Sequence, residues 1–258
     1  MPPLKNKIVF ITGASAGIGE ATAIAFAEQG ARLILTARRK DKLDQLAKTL
    51  KNKFGTDSLC LSLDVKYQNE VQKIIEGLPA NWSEIDILVN NAGLGLGVDK
   101  IHEAKIGDWE EMIDTNIKGL LYMSRAVIPG MVQRKRGHVI NLGSAAGHEV
   151  YPGGNVYCAT KHAVDALTKG MRMDLIDTPV RVSTVDPGLV ETDFSIVRFK
   201  GDAERAKKPY ENIQPLVGAD IADIIVFVAS RPAHVNINEV IVMPKGQAST
   251  TMVHREKK

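Results

Sequence analysis

Lys7-Ile8-Val9-Phe10-Ile11-Thr12-Gly13-Ala14-Ser15-Ala16-Gly17-Ile18-Gly19 is the stretch that decides the fold of this chain. Lys7–Thr12 is a nearly continuous apolar run, the pattern of a strand buried on both faces of a parallel sheet. Glycines follow at once in the arrangement G-x-x-x-G-x-G, and a helical pattern opens at Gly17 and runs to Gln29. Missing side chains at Gly13, Gly17 and Gly19, with Ser15, Ala16 and Ile18 between them, would let a pyrophosphate reach the backbone amides at the positive end of that helix. A tight strand-to-helix turn without a ligand would use the same glycines, so the rest of the chain must decide.

Outward from that unit the alternation continues. Strand patterns fall at Arg32–Thr36, Ser58–Leu63, Ile85–Asn90, His138–Leu142, Val180–Val185 and Glu239–Met243. Helical patterns lie between them at Lys40–Lys53, Asn69–Gly77, Gly107–Gln133, Asn155–Leu175 and Ala219–Ser230. Strict β-α alternation implies right-handed crossovers and an α/β, doubly wound parallel sheet. With no repeat and no linker, residues 1–248 are expected to form one domain. A polar insertion at about 191–215 reads as a lid, and residues 249–258 as a frayed tail.

Composition excludes several classes. The chain has 258 residues, 44% hydrophobic and 24% charged, with a formal net charge of +3. That balance suits a soluble globular protein and gives no nucleic-acid surface. The short basic run Gln133-Arg134-Lys135-Arg136 falls at a predicted helix end, where the helix dipole favours cations. No apolar stretch approaches the ~20 residues that cross a bilayer. Met1–Lys7 lacks the hydrophobic segment of a secretory signal, so a reducing cytoplasm is the expected compartment and Asn81-Trp82-Ser83 reads as a chance sequon. Cys60 and Cys158 form no disulfide framework, and the six histidines show no ligand spacing, so no metal is expected.

The residues that carry chemistry sit where the strands end. After the second strand, Ala37-Arg38-Arg39 offers two guanidinium groups where an NAD enzyme usually places an acid, which predicts NADP. Asp64 and Val65 end the third strand and could meet an adenine, and a simple turn would use the same residues. Asn90-Asn91-Ala92-Gly93 ends the fourth, with small residues that let the chain pass close to a ribose. Asn116 places an amide inside a long helical pattern, the mark of a buried hydrogen-bonding residue. Ser144 closes the fifth strand, where its hydroxyl could donate to a substrate carbonyl as charge develops. No G-x-S-x-G elbow accompanies it, which argues against a serine nucleophile.

Tyr157 and Lys161 lie four apart on one predicted helical face, which makes an acid–base device. An ammonium beside a phenol favours the phenolate, and a shift from about 10 to neutrality needs roughly 4 kcal/mol. A second cation, such as an oxidised nicotinamide ring, could supply part of it. Tyr151 is a weaker rival base, because position 155 is Asn and offers no cation.

Together these residues resemble the short-chain dehydrogenase/reductase family over nearly the whole chain. The resemblance rests on the Gly13–Gly19 loop, Asp64, Asn90–Gly93, Asn116, Ser144, Tyr157 with Lys161, and Pro187-Gly188. It implies that Tyr157 exchanges the proton, that Lys161 lowers the tyrosine pKa and holds the nicotinamide ribose, and that Ser144 polarises the carbonyl. It implies further that Asn116 supports a water in the relay. Pro187, Gly188, Leu189, Val190 and Thr192 would cover the nicotinamide. Within the family the chain looks most like NADP-dependent 3-hydroxy acid dehydrogenases of the serine dehydrogenase and malonic semialdehyde reductase type. The segments that carry this likeness are Asn90–Gly97, Asp114–Asn116, Gly188–Ser195 and Val197–Gly201. Arg198 and Lys200 are then candidates to bind a substrate carboxylate, with solvated lid charges as the alternative. The alternatives in function are a reductase of a bulkier ketone, such as a 3-oxoacyl carrier substrate, and a non-catalytic NADPH sensor. A homo-oligomer, commonly a tetramer, is the family's habit.

Overall fold

The computed structural model describes residues 4–256. Its first unit is the expected one: β1 (Ile8–Thr12) is wholly buried and leads through the glycine turn into α1 (Gly17–Glu28). Then come β2 (Arg32–Ala37), α2 (Lys40–Phe54), β3 (Ser58–Ser62), α3 (Gln68–Glu76) and β4 (Ile87–Asn90). The second half runs α4 (Ile106–Ile113), α5 (Leu120–Gln133), β5 (Gly137–Leu142), α6 (Asn155–Asp174) and β6 (Val180–Pro187). It closes with β7 (Val190–Glu191), α7 (Phe194–Arg198), α8 (Ala203–Lys207), β8 (Leu216–Val217), α9 (Gly218–Ala229) and β9 (Glu239–Val242).

Seven strands form one parallel sheet in the order β3-β2-β1-β4-β5-β6-β9. The chain winds outward from β1 to β3, then returns to place β4 on the other flank of β1. That reversal opens a crevice at the carboxyl ends of β1 and β4, the place where open α/β sheets bind ligands. Two apolar layers fix the sheet. One face packs Phe26, Leu43, Leu50, Ile221 and Ile225 against it, and the other packs Met123, Val127, Met131 and Trp82.

Three departures from the sequence reading have physical causes. The strand expected from Ile85 begins at Ile87, because the Asp86 carboxylate accepts from the Ile8 amide at 3.0 Å and pairs with Lys7 and Arg136, both at 3.1 Å. The expected helix Gly107–Gln133 is interrupted by a π-turn over Asp114–Gly119. A widened turn of this kind turns a helical side chain out of register, and Asn116 occupies it.

The third concerns the C-terminal segment. Its end, expected to be frayed from Ser249, is tied down instead. Gln247 and Val253 form a β-bridge, Thr250 donates its amide to Glu149 at 2.8 Å, and Glu256 donates to the Asn212 carbonyl at 2.8 Å. Arg255 reaches the carbonyls of Pro209 and Glu211. Lys257 and Lys258 lie outside the described residues.

The insertion after β6 is folded. Val190–Glu191 pairs in parallel with Leu216–Val217, clasping the base of a flap that carries α7 and α8.

Candidate active site

Two adjoining cavities occupy the crevice. The first, about 430 Å³, is lined by Gly13, Ser15, Ala16, Ile18, Arg38, Arg39, Asp64, Val65, Asn91, Ala92 and Gly93. The second, about 330 Å³, is lined by Ser144, Tyr151, Tyr157, Lys161, Pro187, Gly188, Leu189, Val190, Thr192 and Arg198. Ile18, Asn91, Gly93, Leu142, Thr192 and Phe194 line both. Most of the residues singled out from the sequence as candidate site residues therefore converge on one continuous hollow; Gly17, Gly19, Asn90, Asn116 and Lys200 line neither cavity.

The first cavity is built on the glycine turn. Gly13 has φ +67°, a left-handed conformation that glycine adopts freely. At Gly19 a Cβ would collide with the Gly13 carbonyl and the Asn91 amide. The turn is locked by β4: Asn91 Nδ2 donates to the Thr12 carbonyl at 2.8 Å, and the Thr12 hydroxyl accepts from the amides of Asn91 and Ala92 at 3.0 and 2.9 Å. At the far end Arg39 donates to Ser15 Oγ at 3.1 Å, and Arg38 stands 3.8 Å from Glu111. Sequence reasoning missed Lys66 and Glu111, which pair at 2.7 Å beside Asp64 and brace this end. Their only signal was the place of Lys66 two residues beyond Asp64.

A phosphate-bearing dinucleotide fits this hollow. The glycine turn leaves backbone exposed at a helix N-terminus, two guanidinium groups flank the β2 end, and the two cavities connect through Asn91 and Gly93.

The second cavity holds the side chains expected from the sequence to carry the chemistry. Ser144 is held by its Oγ, which accepts from the Ala146 amide at 3.1 Å and donates to the Pro187 carbonyl at 3.4 Å. Asn116 is buried and fully engaged: Oδ1 accepts from the Leu94 amide, Nδ2 donates to the Leu94 carbonyl (both 2.8 Å), and Nδ2 also reaches Thr160 Oγ1 at 3.0 Å. It thus pins the loop after β4 to α6, one turn from Tyr157. Deleting such a buried amide leaves several orphaned groups and costs on the order of 1–3 kcal/mol.

Tyr157 and Lys161 share a face of α6, both buried, as their spacing requires. Their electrostatics differ from expectation. Lys161 Nζ donates to the Leu142 carbonyl at 2.9 Å, and desolvation is the largest influence on both groups. Burial pushes the Tyr157 phenol well above its usual range, and Tyr151 adds to this; the Ser144 hydroxyl and Arg198 oppose it. Burial lowers Lys161 to about 8, against the pull of Asp186. The acidified phenol inferred from spacing is therefore corrected: the geometry that places the pair is present, while desolvation dominates its charges.

A further cation at the phenol comes from the flap. The Arg198 guanidinium carbon lies 5.2 Å from the ring centroid of Tyr157 and 5.4 Å from that of Tyr151. Its Nη2 donates to Tyr151 Oη at 2.7 Å and its Nε to the Gly97 carbonyl at 3.1 Å. Tyr151, set aside for want of a cation, thus has one from a distant element, although burial still raises its titration. Lys200 points elsewhere, holding both oxygens of Asp108 at 2.9 and 2.7 Å. Sequence reasoning also missed Gln247, whose Oε1 accepts from the Leu189 amide at 2.8 Å and so braces the turn after β6.

Residues 7–202 match the short chain dehydrogenase family. The chain belongs to that family. Among members of this family, the NADP-dependent 3-hydroxy acid dehydrogenase YdfG of Salmonella typhi is 51% identical over 96% of this chain and 99% of its own length. The NADP-dependent 3-hydroxy acid dehydrogenase of Schizosaccharomyces pombe is 44% identical over 99% of each chain. A closed form of serine dehydrogenase complexed with NADP+ superimposes with a TM-score of 0.90 at 48% identity, covering 96% of this chain and 100% of that one. The single-domain α/β architecture of this chain is the one found in that structure.

Proposed function

We propose that this chain is an NADP-dependent dehydrogenase of small 3-hydroxy acids, such as L-serine, 3-hydroxypropionate or 3-hydroxyisobutyrate, with malonic semialdehyde as a product type. The cofactor and the oxidation of a hydroxyl group rest on relatives sharing about half their residues over almost the full length. The observation that carries the substrate class is Arg198 within the reactive cavity, 5.2 Å from the Tyr157 ring. A 3-hydroxy acid holds its carboxylate two carbons from the reacting carbon, so one short molecule can meet the phenol and the guanidinium together.

Bound NADP supplies the nicotinamide that exchanges hydride with the substrate carbon. The chain's own residues do the rest. Arg198 keeps N–H groups beyond those spent on Tyr151 and Gly97, and these clamp the carboxylate. Ser144 Oγ donates to the substrate oxygen, and Tyr157 Oη takes or returns its proton. Lys161, buried and cationic below about pH 8, lies one turn along and favours the charged phenolate once its Nζ turns from the Leu142 carbonyl. Arg38 and Arg39 hold the ribose phosphate, while Asp64 and Val65 meet the adenine. Pro187–Val190 and Thr192 close over the nicotinamide, and the 191–215 flap acts as the lid.

Self-association as a tetramer in the cytoplasm belongs to this reading. It is supported by exposed apolar side chains on α5, α6 and α9 (Leu121, Met173 and Phe227) and by two free cysteines. Among the described residues no helix is long and apolar enough to cross a membrane.

A spectrophotometric panel tests it. NADPH formation from L-serine, 3-hydroxypropionate or 3-hydroxyisobutyrate is expected, and turnover confined to bulky ketones or carrier thioesters would refute the substrate class. Tyr157→Phe should lower kcat by about 10²–10⁴-fold while NADPH still binds; undiminished turnover would remove Tyr157 from its role.

A further inference from the structure

Outside both cavities, His148, Asp186 and Glu239 bring three potential ligand atoms within 4.8 Å of one another, the one such group among the described residues. They come from three elements. His148 follows the short turn after β5, Asp186 is the penultimate residue of β6, and Glu239 opens β9. In the β6–β9 register Glu239 lies opposite Thr184, so Thr184, Asp186 and Glu239 share one face of the sheet.

Two details point to a ligand. The first is Asp186 itself, 1% exposed. Its Oδ1 is fixed by the Thr184 hydroxyl at 2.6 Å, while its buried Oδ2 has no hydrogen-bond partner. The second is His148 Nε2, likewise without a hydrogen bond although it stands 3.3 Å from Asp186 Oδ2 and 3.3 Å from Glu239 Oε1. The single hydrogen on that nitrogen could reach both carboxylates only as a bent three-centre bond, and neither contact has hydrogen-bond geometry. Ligands about 2.0–2.1 Å from a tetrahedral zinc ion stand about 3.3–3.4 Å apart, which is the separation found along both edges from Nε2.

We propose that His148, Asp186 and Glu239 form a binding site for a zinc-like divalent cation. Neutral imidazole and two carboxylates balance the charge of such an ion. The Thr184 hydroxyl orients the Asp186 carboxylate from behind, as outer partners of metal ligands do. His148 Nε2 and Asp186 Oδ2 are buried, and only the Glu239 side chain, 29% exposed, would open the ion to water. Lys161 feels Asp186, and Lys169 and Arg172 feel Glu239, yet among the described residues none of the three cations pairs directly with either carboxylate. The site would tie the turn after β5 to the β6–β9 edge. The sequence hid it because its residues lie at positions 148, 186 and 239, far from any ligand spacing.

The test is equilibrium dialysis of the metal-stripped full chain against buffered Zn²⁺, with zinc counted by elemental analysis. Retention of about one equivalent is expected, together with a rise in Tm. His148→Ala and Glu239→Gln should each weaken retention about tenfold or more. Circular dichroism and NADPH binding report whether each variant is folded; if His148→Ala fails to fold, Glu239→Gln, at a partly exposed position, carries the result. Failure of the wild-type chain to retain zinc overturns the proposal, and so does undiminished retention by a folded variant.

Discussion

Arg198 stacks over Tyr157 from across the cavity, its guanidinium carbon 5.2 Å from the ring centroid. A residue of the flap is thereby placed on a residue of α6. If the guanidinium reads a carboxylate, Arg198→Ala should raise KM for 3-hydroxy acids by about 10–100-fold, the worth of a charge-assisted pair. Neutral short alcohols should lose much less. Equal losses for acids and alcohols would mean that Arg198 only positions Tyr151 and Tyr157.

Arg38 and Arg39 border the first cavity beside Ala37, with no acid at the end of β2. Arg38→Ala should raise KM for NADPH about tenfold or more and leave NADH nearly unchanged. Steady-state kinetics with both coenzymes decide this, and parallel changes would remove the phosphate contact.

Lys200 and Asp108 join the flap to α4 across 92 residues of chain. Lys200 is half-exposed, so the pair is worth no more than about 1 kcal/mol. Lys200→Ala should therefore leave global stability almost intact while exposing 191–215 to faster proteolysis. A cleavage rate equal to wild type under native conditions would show that the latch does not hold the flap.

His138 is buried with Nε2 2.8 Å from Ser183 Oγ, and burial, with Arg181 adding, holds its titration well below the usual 6.5. The folded state resists protonation that the unfolded state accepts. Its contribution is complete above the unfolded value near 6.5 and is lost as pH falls from there toward the folded value. Urea melts at pH 7 and pH 5 should show wild type losing stability, with one proton contributing about 1.4 kcal/mol per pH unit. His138→Gln should lose that portion of the slope; unchanged slopes would refute the assignment.

The catalytic spacing shows where a local reading stops. Tyr157 and Lys161 are four residues apart, and a helix puts any such pair on one face. Their charges are another matter, because desolvation depends on everything packed around α6. Burial raises the phenol and lowers the amine, and a cation over the phenol ring comes from position 198. Tyr151 shows the same limit, since its cation comes from Arg198, 47 residues away, and not from position 155.

By itself the sequence determined the local units: β1, its glycine turn and α1; the alternation that makes the sheet parallel; the i, i+4 pair; and the basic end of β2. Each follows from bond geometry or periodicity within a few residues. Only the tertiary structure decided what crosses between elements. Asn116 is turned by a π-turn onto Leu94 and Thr160, the C-terminal segment is tied back beside the flap, and His148, Asp186 and Glu239 meet at the sheet's edge. Contacts of that kind depend on how layers stack and which atoms they desolvate, and no spacing along the chain encodes them.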